Sequence, residues 1–67
     1  MNLPRVDTCM HRGVHQVILR SPGKLSWVYD IEAARYWADR YEAGGDVGLA
    51  AELRKAAERA VALNRAS

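Results

Sequence analysis

Apolar and polar residues alternate with period two in RVDTCM, which is the pattern of a strand with one buried face. Farther along, VHQVILR and KLSWVY are rich in the β-branched and aromatic residues that favour strands. These stretches are separated at HRG and at SPG, where glycine and proline favour tight turns. The pattern therefore predicts a meander of three antiparallel strands, near residues 4–11, 14–21 and 24–29.

The register of these strands follows from keeping the apolar residues together, because a slip of one residue moves every side chain to the other face. A two-residue loop at Arg12-Gly13 gives the first hairpin these partners: Met10 and His15, Thr8 and Val17, Val6 and Leu19. A three-residue loop at Ser21-Pro22-Gly23 gives the second hairpin these: Leu19 and Leu25, Val17 and Trp27, His15 and Tyr29. The predicted inner face is Val6, Met10, Val17, Leu19, Leu25, Trp27 and Tyr29. The predicted outer face is Asp7, Cys9, His11, Val14, Gln16, Ile18, Ser26 and Val28.

From residue 30 onward the apolar positions recur with the 3.6-residue period of a helix. Asp30 and Asp46 suit helix N-caps, and the AGG at 43–45 favours a helix end between them. These signals predict helices at about 31–43 and 47–65. The first apolar stripe is Ile31, Ala34, Trp37, Ala38 and Tyr41, and the second is Leu49, Ala50, Leu53, Ala57, Ala60 and Val61. Arg54 and Glu58 have the spacing of an ion pair on the second helix.

The order of these elements predicts an α+β fold, β-β-β-α-α, in one domain that covers residues 1–67. It is a three-stranded antiparallel β-meander packed on one face by a C-terminal α-helical hairpin. We expect Trp27, Trp37 and Tyr41 to share its core. A chain of 67 residues whose helical stripes are rich in alanine has little core, so burial against a second copy, as a homodimer, would add stability.

The amino-acid composition limits the kind of protein and the compartment that we expect. The single cysteine cannot form an intramolecular disulfide, and MNLPRVDTC has no apolar signal-peptide core. No apolar run has the length of a membrane span, so we expect a cytoplasmic protein that does not enter a membrane. Eight arginines against two lysines, with eleven alanines, indicate a GC-rich bacterial, phage or mobile-element origin.

The net charge of +2 is unevenly distributed. Residues 1–29 carry four basic side chains and one acidic, whereas residues 30–67 carry six basic and seven acidic. The predicted strands are therefore the basic half of the chain, and they would attract an acidic partner.

The segment DTCMHRGVH gathers the only cysteine and both histidines, which raises two chemical hypotheses. Asp7, Cys9 and His11 share a predicted face, but a zinc site needs four convergent ligands and His15 falls on the opposite face. A nucleophile pair of Cys9 and His11 has no third residue to orient the histidine. We therefore expect no metal, no cofactor and no catalytic residue, and interpret the segment as the border of a binding surface.

Two different parts of the predicted fold could contact DNA. A helix-turn-helix over residues 36–57 would place Asp46 and Glu52 against phosphates, which is unfavourable. The outer sheet face is better suited, because it offers Arg12, Gln16, Arg20, Lys24 and Ser26 to a major groove.

Protein binding is the function we favour from the sequence. A small adaptor or inhibitor of a larger protein would use arginine and lysine for steering and apolar residues as anchors. The expected partner-binding residues are Arg12, Gln16, Ile18, Arg20, Lys24, Val28, Tyr36 and Arg40. A DNA-binding regulatory protein is the alternative.

Overall fold

The computed structural model describes residues 5–21, 23 and 25–66. Strands β1 (Arg5–His11), β2 (Val14–Arg20) and β3 (Trp27–Tyr29) form one antiparallel sheet in the order β1-β2-β3. Helices α1 (Ile31–Ala43) and α2 (Val47–Ala66) follow. The predicted α+β fold with β-β-β-α-α order is confirmed.

The first hairpin has the predicted register. Met10 pairs with His15 and His11 pairs with Val14, which leaves Arg12 and Gly13 as a two-residue loop. Both loop residues have positive φ, 55° at Arg12 and 83° at Gly13. This is the pattern of a type I′ turn, whose twist matches that of the flanking strands.

The second hairpin differs from the prediction by two residues. Leu19 pairs with Trp27 and Val17 pairs with Tyr29, so β3 is shorter than predicted and the connection before it is longer. The apolar pattern does not distinguish the two registers, because it depends only on which face each residue occupies. A shift of two residues keeps every side chain on its predicted face of the sheet, so Trp27 and Tyr29 still lie on the inner side.

Both helices begin at the predicted caps. The carboxylate of Asp30 accepts a hydrogen bond from the Ala33 N–H at 2.7 Å, and that of Asp46 accepts one from the Leu49 N–H at 3.2 Å. Helix α1 ends where the N–H of Gly44 donates to the Arg40 carbonyl. Each cap satisfies backbone groups that the helix itself leaves unpaired.

Alanine dominates the core between the inner sheet face and the helices. The buried residues are Val17, Leu19, Ala34, Ala38, Ala50, Leu53, Ala56, Ala57 and Ala60. Small side chains let the two helices approach each other and the sheet closely, but they bury little apolar area. Tyr41 packs against this core at half-burial, as do Val6, Tyr29, Ile31 and Leu49.

The predicted burial of the two tryptophans is wrong. Trp27 is 57% exposed and Trp37 is 39% exposed, and Met10 and Leu25 are exposed as well. The cause is the position of the helices: α2 packs on β1 and β2, whereas α1, which follows β3 directly, packs mainly on α2 and meets β2 and β3 at only a few positions. The rest of the inner side of β3 has no helix over it among the described residues.

Arg54 joins the two helices. Its guanidinium donates to Asp39 at 2.7 Å and also to Glu42, both on α1. The hydrogen bonds to Asp39 and then Glu42 raise the pKa of Arg54 above its usual value. The ion-pair partners of Arg54 are thus two residues of α1, whereas the helical spacing predicted Glu58 of α2.

Candidate binding surfaces

One candidate surface is the side of the sheet that faces away from both helices, which we call the outer sheet face. The pairing places these residues on it: Arg5, Asp7, Cys9, His11, Val14, Gln16, Ile18, Arg20 and Val28. The core residues Val17 and Leu19 point to the other side. The outer sheet face therefore has no helix over it in the part of the chain that the structure describes.

The centre of the outer sheet face is apolar. Ile18 lies between Asp7 on β1 and Val28 on β3, so one row crosses all three strands. Ile18 is half-buried by its neighbours, and Val28 and Val14 are exposed. Strand pairing positions these side chains without any partner, so the surface is preformed.

One end of the outer sheet face carries two positive charges. Arg5 of β1 is directly opposite Arg20 of β2, and both side chains are exposed. Like charges in directly opposite positions destabilise a sheet. A bound carboxylate or phosphate would relieve the repulsion, which makes this end suited to an anionic group.

The structure brings together some of the predicted partner-binding residues and separates others. Gln16, Ile18, Arg20 and Val28 share the outer sheet face, and Arg12 lies at the tip of the adjoining hairpin. Lys24 lies outside the described residues. Two further predicted residues lie on α1, on the helical side of the molecule: Tyr36 and Arg40.

Tyr36 and Arg40 belong to a second candidate surface, which we call the aromatic surface. It consists of Trp27, Tyr29, Tyr36, Trp37 and Arg40, on β3 and α1. The Trp37 ring lies 5.5 Å from Tyr36 and 6.4 Å from Tyr29, and the Arg40 guanidinium lies 6.0 Å from the Tyr36 ring centre. Sequence reasoning missed this surface, because it assigned both tryptophans to the core.

Tyr29 is a half-buried member of the aromatic surface. Burial raises the pKa of its phenol above the usual value of 10.0, and the neighbouring Tyr41 raises it further. The neutral hydroxyl is therefore the form that the fold favours.

Metal ligands do not converge in the described part of the chain. Among residues 5–21, 23 and 25–66, no group of three His, Cys, Asp or Glu side chains could hold a metal ion. Cys9 and His11 lie in alternate positions along β1, and Cys9 is half-buried.

A shallow groove separates β1 from α2. Its lining residues are Val6, Asp7, Thr8, Glu52, Lys55, Ala56 and Arg59. Two acidic and two basic side chains give the groove no net charge with which to select a ligand. None of the described helices has the length and apolar character that a membrane crossing requires.

Comparisons of the chain with protein-family models, curated proteins and solved structures find no match.

Proposed function

We propose that the chain is a non-catalytic binding protein, of the adaptor or inhibitor type, that docks on a larger protein through its outer sheet face. The observation that carries this proposal is the row Asp7, Ile18, Val28, which sets two apolar side chains at the centre of an uncovered face. A small apolar centre with a charged border is the common arrangement of protein interfaces.

Each part of the outer sheet face has a role in this proposal. Ile18 and Val28 are the apolar anchors, and full burial of such a side chain contributes about 1.5–3 kcal/mol. Gln16 donates and accepts hydrogen bonds beside them. Arg12, in the turn before β2, and Arg20, the last residue of β2, attract an acidic partner and set its orientation.

Capture from the lysate of a host cell tests this role with substitutions on two sides of the molecule. Ile18→Asp places a charge in the apolar centre, and Arg20→Glu reverses a border charge. The matched controls are Val47→Asp and Arg65→Glu, which change exposed residues of α2.

We expect one protein to be captured by the unmodified chain and both controls, and to be lost with Ile18→Asp and Arg20→Glu. Circular dichroism checks that each variant is folded. Capture that survives both substitutions on the sheet contradicts the proposal.

DNA binding is the second candidate, and the opposed Arg5 and Arg20 favour it. With Arg12 and Gln16 they supply phosphate and base-edge contacts along one face. Binding to duplex DNA at about 50 mM salt should then weaken steeply as salt is added. No binding at that salt concentration excludes this function.

A further inference from the structure

The aromatic surface exposes the largest apolar side chains of the protein. Trp27, Tyr36 and Trp37 are all more than one-third exposed, whereas the largest fully buried side chains are Leu53 and Val17. Large aromatic residues bury the most area and usually dominate cores and interfaces. Their exposure beside a core of alanines indicates that part of the apolar burial occurs outside the single chain.

The total surface supports the same conclusion. The chain exposes 4996 Å², and its extents are 34 × 25 × 16 Å. A compact monomer of its 7.5 kDa mass exposes about 4200 Å². The chain is thus less compact than an average monomer of its mass, and an interface of standard size would bury about 800 Å² on each partner.

The hydrogen bonds of the Asn64 side chain show which way the backbone N–H and C=O groups of β2 point. The His15 N–H donates to Asn64 Oδ1 at 2.7 Å, and Asn64 Nδ2 donates to the His15 carbonyl at 3.1 Å. His15 therefore directs both backbone groups away from β1. Because these directions alternate along an antiparallel strand, Val17 and Leu19 direct theirs the same way, toward β3.

The orientation of the backbone N–H and C=O groups of β3 follows from its pairing with β2. Tyr29 and Trp27 pair with those two residues of β2, so their N–H and C=O groups are used within the sheet. Val28, between them, directs its N–H and C=O to the free edge. One donor and one acceptor thus stand at the centre of β3 with no strand beside them among the described residues.

The two edges of the sheet differ in protection. β1 carries the charged residues Arg5 and Asp7, and charged side chains on an edge oppose pairing with another chain. β3 has the sequence WVY, without charge, and its inner side is the uncovered aromatic surface. The β3 edge is therefore the one that can accept a further strand.

We propose that a second copy of this chain pairs with β3 and forms a two-fold symmetric dimer. The two strands run antiparallel about Val28, whose N–H and C=O bond to Val28 of the second copy. Trp27 then lies opposite Tyr29 of the second copy, as a cross-strand aromatic pair. The sheets join into six strands, and the two aromatic surfaces meet side by side on the helical side of the joined sheet. The dimer uses the free edge and the inner side of β3, whereas the proposed function uses side chains on the outer side of the sheet.

Light scattering on the purified full chain measures the mass directly. We expect twice the 7.5 kDa of one chain, falling toward 7.5 kDa on dilution. Acrylamide quenching of tryptophan fluorescence should be weaker in the concentrated sample, because dimerisation covers Trp27 and Trp37. At a protein concentration of roughly 1 mM, even a weak dimer with a standard association free energy of about −4 kcal/mol would be populated. A mass of 7.5 kDa at that concentration overturns the proposal.

Two substitutions of Val28 test whether the dimer pairs through the free edge of β3. Val28→Pro removes the N–H that faces the free edge, a position where an edge strand tolerates proline. Val28→Ala keeps this N–H and is its control. We expect Val28→Pro to be a folded monomer and Val28→Ala to remain dimeric.

Trp27→Arg tests the aromatic surface without changing the backbone, and Val47→Arg is its exposed control on α2. The first should raise the dimer dissociation constant by about 30-fold or more, and the second should leave it unchanged. Ile18→Asp should not change the mass, which separates this proposal from the proposed function. A dimer that survives Trp27→Arg, or one that Ile18→Asp breaks, assigns the interface to another surface.

Discussion

The side chain of Asn64 takes the place of a strand beside His15. Its carboxamide accepts from the His15 N–H at 2.7 Å and donates to the His15 carbonyl at 3.1 Å. β3 ends its pairing with β2 at Val17, so the backbone of His15 would otherwise lack a ladder partner. The last turn of α2 thereby fastens the helix to the sheet, across 49 positions of sequence.

Replacing Asn64 should therefore weaken the fold. Asn64→Ala leaves a part-buried N–H and C=O without this partner, which costs about 1–3 kcal/mol in the free energy of unfolding. Urea denaturation measures the loss, and Arg65→Ala, on an exposed neighbour, is the control. Equal stability of the two variants would show that the Asn64 contact contributes nothing.

The conformation of Arg12 predicts a stabilising substitution. Its φ of 55° costs an ordinary residue roughly 1–2 kcal/mol, whereas asparagine tolerates this region well. Arg12→Asn should gain about 1 kcal/mol, which raises the melting temperature of a domain this small by about 4–8 °C. Arg12→Val should lower it, because a β-branched residue is more strained there. A fall with asparagine contradicts the assigned turn.

The close packing of the helices predicts sensitivity to added volume. Ala57 is fully buried and Ala62, on the same helix, is exposed. Ala57→Leu should destabilise by about 1–3 kcal/mol through overpacking, whereas Ala62→Leu should change the stability by less than about 0.5 kcal/mol. Thermal unfolding of the two variants compares these effects, and similar midpoints would count against the alanine core.

The raised pKa of Tyr29 predicts loss of stability in alkali. Because burial and Tyr41 favour the neutral phenol, its contribution is complete below the unfolded pKa near 10 and is lost as pH rises through the higher folded pKa. Urea unfolding between about pH 8 and pH 11 should show this decline, and Tyr29→Phe should reduce it. An unchanged decline in the variant would assign it to other groups.

Local sequence signals determined most of the fold. Asp30 and Asp46 marked both helix starts, and Gly13 marked the first turn. The face of every strand residue followed from period-two alternation, and this held in β3 even though the pairing shifted by two residues. That shift could not be predicted, because both registers place the same side chains on the inner face.

The tryptophans show where sequence reasoning was insufficient. Trp27 and Trp37 occupy positions whose period predicts burial, yet burial also depends on which helix covers the sheet. Periodicity orients a side chain but does not state whether another element lies opposite it. The packing of α2 over β1 and β2, fastened by Asn64, is a tertiary property.

We propose that a protein partner covers the outer sheet face, and Cys9 is a direct probe of that contact. It is the only cysteine, and it lies half-buried on that face. Alkylation of its thiol should slow markedly when the captured partner is bound. In a Cys9→Ser/Ala62→Cys double variant, which moves the thiol to exposed α2, the partner should not change the rate. An equal alkylation rate of Cys9 in the free and bound protein would contradict the claim.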